Sequence, residues 1–148
     1  MVDAWTKQVL DNGPRNYRAV YTLVFGATDP VTSYVAADPT SAGDMGVNIQ
    51  GQVLYPDTHL KLWELKYDMS ASQGLQILWD ATTDQTAWAA NGQGSGGHSW
   101  KKQGGLSPYN LGTVITGATG KILFTTLGTP EVGDLISIEM WLKKDIHQ

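Results

Sequence analysis

The sequence has no cysteine, so it can form no disulfide, no thiol nucleophile and no cysteine-ligated zinc site. Charge is scarce as well, because charged residues make up 16% of the 148 residues against roughly 25% in an ordinary globular domain. The formal net charge of −4 argues against binding along a nucleic-acid backbone, which takes a basic face. We therefore expect no nucleic-acid partner, and we expect packing or oligomerisation to hold the chain together.

Long apolar runs are missing too. No stretch reaches the roughly 18 consecutive apolar residues that a membrane-spanning helix needs, and the start of the chain lacks the basic and apolar regions of a signal peptide. We expect a soluble, unprocessed chain with no membrane partner. The length fits one domain with a single hydrophobic core.

Glycine and tryptophan, in contrast, are abundant, with 17 and 6 residues. Turn-like clusters separate short segments in which apolar and polar residues alternate, clearest at 17–25 and next at 60–67, where we expect Trp63, Leu65 and Tyr67 to share one face. Further segments lie at 5–10, 31–35, 47–54, 75–80, 121–126 and 135–143. About eight strands predict an all-β fold, a two-sheet antiparallel sandwich of jelly-roll or Greek-key type, with a closed barrel as the alternative.

The chain shows one domain with a short N-terminal extension. Residues 1–14 are expected to form an N-terminal strand or arm and a turn, and residues 15–148 a single β-sandwich domain. The segment 91–97 contains four glycines, which favour a mobile or partner-ordered loop over a regular element. A brief strand pairing is expected at 100–102, and no helix is expected.

No motif for catalysis or for cofactor binding is complete. The Gly-Ala-Thr-Gly-Lys run at 117–121 lacks the first glycine and the final hydroxyl residue of a phosphate-binding loop. The three histidines lie far apart, and Asp80 and Asp84 are typical of a turn rather than of a calcium loop. Glu64 and Glu139 point outward from their strands as expected solvated edges. We therefore predict no catalytic residue, no cofactor, no metal and no enzymatic activity.

The remaining signals concern a binding surface. Trp88 and Trp100 flank the glycine-rich segment, and each is either an exposed aromatic anchor, which would suit a protein interface or a sugar ring, or a plug at one end of the sandwich. Trp141 lies on the outward face of the last strand. The candidate interface residues are Trp5, Val9, Trp88, Gly94, Gly96, Trp100 and Trp141.

Several short motifs occur in an order that is known from a protein family. They are Asp-Asn-Gly-Pro-Arg-Asn at 11–16, Trp-Asp-Ala-Thr-Thr at 79–83, the glycine-rich segment, Gly-Gly-Leu at 104–106, Thr-Gly-Lys-Ile-Leu-Phe-Thr-Thr-Leu-Gly at 119–128 and the terminal strand that ends in Leu-Lys-Lys. In this order the sequence resembles a group of small structural proteins of tailed bacteriophages. The resemblance touches both ends and the middle of the chain, and it is weak between Phe25 and Leu60.

The resemblance implies a virion protein without enzymatic activity, foremost a capsid decoration (cement) protein. It implies a homotrimer that braces the shell of the major capsid protein from the capsid exterior, after assembly in the host cytoplasm. As a mechanism, residues 1–10 would act as an arm, with Trp5 setting the register of a strand added to a neighbour's free edge. The alternative is a carbohydrate- or receptor-binding module of a phage tail or fibre, in which Trp88 and Trp100 stack on a glycan.

Overall fold

The structure is a computed structural model that describes residues 4–13, 15–26, 30–38, 58–70, 74–91, 94–106 and 119–146. The strand expected at 47–54 lies outside these residues, as do His147 and the first two residues of the run at 117–121. Within the described residues, no helix is long and apolar enough to cross a membrane.

Two antiparallel sheets pack face to face, which confirms the predicted sandwich. The five-stranded sheet has the order β1-β2-β9-β4-β7, and the four-stranded sheet has the order β3-β8-β5-β6. The described part of the chain holds nine strands and a three-residue 3-10 helix: β1 (Ala4–Asn12), β2 (Asn16–Val24), β3 (Tyr34–Ala37), β4 (Thr58–Met69), β5 (Gly74–Trp79), β6 (Gln85–Asn91), β7 (Gly94–Ser99), η1 (Lys101–Gln103), β8 (Ile122–Thr126) and β9 (Leu135–Ile146).

Strands β2 to β9 follow the order of a jelly roll. Antiparallel ladders join β2 with β9, β3 with β8, β4 with β7 and β5 with β6. The strands β2 to β5 therefore pair in order with β9 to β6, and successive pairs lie in alternate sheets. Strand β1 is additional to these eight, and it extends the five-stranded sheet beyond β2.

Alternation along β2 and β9 places the core as predicted. In β2 the buried side chains are Tyr17, Ala19, Tyr21 and Leu23, and Arg18 and Thr22 lie on the opposite face. In β9 the buried apolar side chains are Ile136, Ile138, Met140 and Leu142. These faces meet the inner face of β5 and β8, where Leu75, Ile77, Ile122 and Phe124 are almost fully buried.

Strand β4 does not keep the expected alternation. The Leu62 amide donates to the Leu106 carbonyl and the Leu62 carbonyl accepts from Leu106, while the Trp63 carbonyl accepts from the Trp100 amide. The consecutive residues Leu62 and Trp63 thus both bond to the segment that follows β7. The register with β9 shifts at the same place, between Leu62 and Glu64. The prediction that Trp63 shares a face with Leu65 and Tyr67 was wrong, because the bulge turns Trp63 away from them.

Most of the glycine-rich segment is also different from its prediction, because Asn91 ends β6 and residues 94–97 belong to β7, an edge strand paired with β4. Residues 92 and 93 of the predicted loop lie outside the described part of the chain. The Tyr67 ring occupies the space of a side chain at Gly96, where a Cβ would lie 2.9 Å from Oη. At Gly97 a Cβ would overlap the Leu65 carbonyl oxygen. The glycines here permit close approach to β4, and the pairing and the aromatic cover offset their entropic cost.

The segment that follows β7 was predicted to pair briefly at 100–102. It forms η1 instead, which ends at Gly104 in the left-handed conformation, with the Gly104 amide donating to the Lys101 carbonyl. A left-handed backbone costs glycine little, so a turn at this position ends the helix. The consequence for the surface is that Lys101 leaves the line of β7 and reaches β4.

Candidate binding surfaces

The tryptophans named as candidate anchors lie in different environments. Trp5 is 8% exposed and packs on the Tyr34 and Phe124 rings, with ring centroids 5.8 and 5.2 Å away. Trp100 is 9% exposed and meets the His98 ring edge-on. Trp88 is half-buried and packs on Tyr67, with the two ring centroids 5.3 Å apart. In this chain the rings of Trp5 and Trp100 therefore belong to the core cluster, and Trp88 packs against it.

The other candidate residues lie at the surface. Val9 is 43% exposed on β1, and Gly94 and Gly96 are exposed on β7. Trp141 is half-buried on the outer face of the five-stranded sheet, as the alternation of β9 predicted. The structure therefore places Val9 and the two glycines on opposite edges of one sheet, with Trp141 on the face between them.

Trp141 belongs to a cluster of charged and aromatic side chains on that face, which we call the outer-face cluster. Strands β2, β9 and β4 place its members side by side, since Arg18 is opposite Trp141 in one ladder and Glu64 is opposite Trp141 in the next. The bulge at Trp63 and helix η1 bring in the remaining members. The cluster comprises Arg18, Trp63, Glu64, Lys66, Lys101, Glu139, Trp141 and Lys143.

Three cations surround the Trp141 ring. The Lys101 and Lys143 ammonium groups lie 4.7 and 5.0 Å from its centroid, and the Arg18 guanidinium lies 5.5 Å away. Lys143 also lies 5.2 Å from the Trp63 ring centroid. These distances are within the range of cation–π attraction. The contacts restrain long cationic side chains that would otherwise be free, so the surface is partly ordered before any partner arrives.

Hydrogen bonds fix the orientation of the same groups. The Asn16 side-chain oxygen accepts from Trp141 Nε1 at 3.2 Å and from Lys143 Nζ at 2.5 Å. Arg18 pairs with Glu139, and Lys101 Nζ pairs with a Glu64 carboxylate oxygen at 2.9 Å. The expected role of Glu64 and Glu139 as solvated edge carboxylates is therefore corrected, because both lie on central strands and are ion-paired.

The Lys101 hydrogen bond lowers the pKa of the Glu64 carboxyl, with smaller contributions from the charges of Lys101, Lys66 and Arg18, while burial opposes the shift. Glu64 is thus a stable carboxylate near neutral pH. General acid catalysis needs the opposite change, a raised pKa that keeps the proton on the carboxyl group. The electrostatics of this cluster favour ionic recognition over proton transfer.

The cluster carries a local positive charge. It contains four cations, Arg18, Lys66, Lys101 and Lys143, against the two carboxylates Glu64 and Glu139, which leaves two positive charges on a chain with a net charge of −4. Tryptophan and arginine are also the residues most enriched in the energetically dominant parts of protein interfaces. The arrangement is chemically suited to an acidic or carbonyl-rich protein surface.

The acidic turn after β5 serves a structural purpose. The Asp84 carboxylate accepts from the Ala81 amide at 3.0 Å, and the Thr119 hydroxyl donates to Asp80 at 2.6 Å. This confirms the turn interpretation of Asp84. Among the described residues, no group of three or more acidic or histidine side chains is arranged to hold a metal ion.

Of the outer-face cluster, only Trp141 was among the candidate interface residues predicted from the sequence. The outward positions of Arg18, Glu139 and Lys143 followed from alternation, but their proximity depends on the lateral order of β2, β9 and β4, which distant parts of the chain determine. Trp63 was hidden by the bulge. Comparison with models of known protein families and with curated proteins finds no match to this chain.

Proposed function

We propose that this chain is a non-enzymatic structural protein of a tailed-phage virion, most specifically a capsid decoration protein that braces the shell of the major capsid protein. The motif resemblance suggests the class. It also extends the proposal to a homotrimer on the capsid exterior, formed in the host cytoplasm. The observation that carries the proposal at the level of residues is the outer-face cluster, with Trp141 held among Arg18, Lys101 and Lys143.

The cluster supports a shell contact for two physical reasons. A preordered tryptophan loses little conformational entropy on binding, and the cations around it attract carboxylates of a partner surface. A decoration protein is also present in many copies, so a modest contact per copy adds up to a large effect on the shell. The ion-paired state of Glu64 and Glu139 supports the non-enzymatic part of the proposal.

The proposal is tested by binding purified protein to undecorated shells of the phage that encodes the chain. Trp141→Ala removes the ring that the cations surround, and we expect at least a roughly tenfold weaker affinity, as for a dominant interface residue. Ser137→Ala is the matched control, because Ser137 lies on the same outer face of β9. Particles that carry the Trp141 variant should also tolerate less heat.

The carbohydrate-binding alternative gives a different result in the same experiment. Trp100 is buried and Trp88 packs against Tyr67 and the core cluster, which leaves little of either ring for a sugar. A glycan would instead use Trp63 and Trp141 on the outer face. Glycan binding that is lost in Trp141→Ala, together with unchanged shell binding, would support that alternative. Wild-type protein that binds neither shells nor particles would contradict the decoration proposal.

A further inference from the structure

The edges of the two sheets differ in how they are protected against pairing with another chain. The four edge strands are β1 and β7 in one sheet and β3 and β6 in the other. In β1, β3 and β6 the register shifts by one residue, which leaves Leu10, Ala36 and Ala87 as extra residues. Such bulges twist an edge away from further pairing.

Strand β7 lacks these protective features. Its six residues pair with β4 from Gly94 to Ser99 without a register shift, and all six are exposed. It contains no proline and no lysine, arginine, aspartate or glutamate. An open groove runs along it, lined by residues 64–67 of β4 and 95–99 of β7. Among the edges in the described part of the chain, β7 is therefore the one that is open to another strand.

The free backbone groups of β7 follow from its pairing with β4. The Trp100 amide donates to the Trp63 carbonyl, so it points toward β4. Backbone groups alternate in direction along a strand, so those of His98 and Gly96 also point toward β4. The amide and carbonyl groups of Ser95, Gly97 and Ser99 consequently point away from the sheet, into solvent.

We infer that this edge pairs with β7 of a second copy of the chain, antiparallel and centred on Gly97. Ser95 then faces Ser99 of the second copy, Gly97 faces Gly97, and roughly six backbone hydrogen bonds join the two five-stranded sheets. The contact is the same on both copies, as in the commonest symmetric dimers. This inference does not depend on the proposed function, and a two-fold link is compatible with other contacts within an assembly.

The residues of β7 favour pairing with β7 of a second copy over pairing with one of the other described edge strands. Self-pairing of β7 places no charged side chains directly opposite each other, since the facing positions 95, 97 and 99 are serine or glycine. Glycine at position 97 also leaves no side chain on the two-fold axis. The other described edges carry a bulge, which interrupts a continuous ladder.

Cysteine crosslinking tests both the partner and the register, because the chain has no cysteine of its own. Ser95→Cys and Ser99→Cys proteins are mixed and oxidised with copper phenanthroline. In the inferred register the facing Cα atoms are about 5.5 Å apart, within disulfide reach. In a dimer of the Ser95→Cys protein alone, the two thiols would be offset by about 13 Å along the strands and could not be bridged.

The expected result is a covalent dimer in the mixture and little in either variant alone. Ser95→Cys mixed with Thr83→Cys is the matched control, since Thr83 is an exposed position in the turn after β5. Equal crosslinking in the control mixture, or in Ser95→Cys alone, would overturn the inferred pairing.

Sedimentation of the wild-type protein provides a second measurement that needs no substitution. We expect a monomer at low concentration and a growing dimer fraction toward about 1 mM, as for a weak contact. Replacing both Ser95 and Ser99 by lysine should abolish the dimer, because like charges then face each other. The same two charges added as Thr82→Lys and Thr83→Lys should leave it unchanged. A wild-type monomer at every concentration would overturn the inference and leave the edge to a strand of another protein.

Discussion

The two edges of the five-stranded sheet are built in opposite ways. Strand β1 inserts Trp5 into the core, contains a bulge at Leu10, and lies beside the buried Lys144, whose ammonium group donates to Asn12 and to the Gly13 carbonyl. All six residues of β7 are exposed, and the strand is held by its backbone ladder with β4. One edge is closed by side chains, and the other is left open by glycine.

The two edges therefore have different roles, since β1 contributes to the stability of the fold and β7 offers backbone groups for recognition. The β1 edge is stabilised by apolar burial, which is lost only when the core is disturbed. The β7 edge depends on close backbone approach, which makes it sensitive to side-chain atoms added at Gly96 or Gly97 and leaves its outer backbone groups available. Substitutions on one edge at a time separate these two contributions.

The largest effect is expected on the closed edge. Trp5→Ala removes a ring that packs on Tyr34 and Phe124, and it should lower the free energy of unfolding by about 3–5 kcal/mol. Trp5→Phe is the control, because it keeps an aromatic ring and removes Nε1, which has no hydrogen-bond partner among the described residues. We expect the Phe variant to lose about 1 kcal/mol or less in urea denaturation. Equal losses in both variants would contradict a packing role for the ring.

A smaller effect is expected on the open edge. Gly97→Ala places a methyl group on the Leu65 carbonyl oxygen and should cost about 2–3 kcal/mol of unfolding free energy, as overpacking does. Ser95→Ala, on the same strand, should change stability by less than about 0.5 kcal/mol. If Gly97→Ala were as neutral as Ser95→Ala, close pairing of β7 with β4 would be disproved.

The smallest effect concerns the ion pair that links η1, after β7, to β4. The pKa of the Glu64 carboxyl is lower in the folded protein than in the unfolded chain. The ionised Glu64 side chain therefore stabilises the fold above the unfolded pKa, and this stabilisation is lost as the pH falls through the folded pKa. The wild type should exceed Glu64→Gln in stability by less than about 1 kcal/mol near neutral pH. Denaturation at a series of pH values should show this difference shrinking as the pH falls below about 4.5, the ordinary pKa of the carboxyl group. A difference that grows on acidification would contradict the assignment.

Sequence periodicity predicted the regions where side chains alone determine the face. In β2 and β9 apolar and polar residues largely alternate, so the core positions and the outward direction of Trp141 were correct. The same rule failed in β4, because the bulge at Trp63 depends on hydrogen bonds to Trp100 and Leu106, which are distant in sequence. Local pattern does not encode such a partner.

The strand β7 was missed for a related reason. Glycine carries no hydrophobic signal, and its flexibility favours loops when the segment is considered alone. The pairing is stabilised by Tyr67 over Gly96 and by the ladder with β4, both of which exist only after the sheet has formed. The outer-face cluster was likewise hidden, because it unites residues from β2, β4, η1 and β9 that no single segment brings together.

The central claim is that β7, at residues 94–99, is an edge strand with one side paired and one side open, and amide hydrogen exchange at low protein concentration tests it most directly. The account predicts alternation, with slow exchange at Gly96, His98 and Trp100 and fast exchange at Ser95, Gly97 and Ser99. At high concentration the last three amides should gain protection as the second copy pairs. Uniformly fast exchange from 94 to 100 would contradict the account, because it would make this segment a loop.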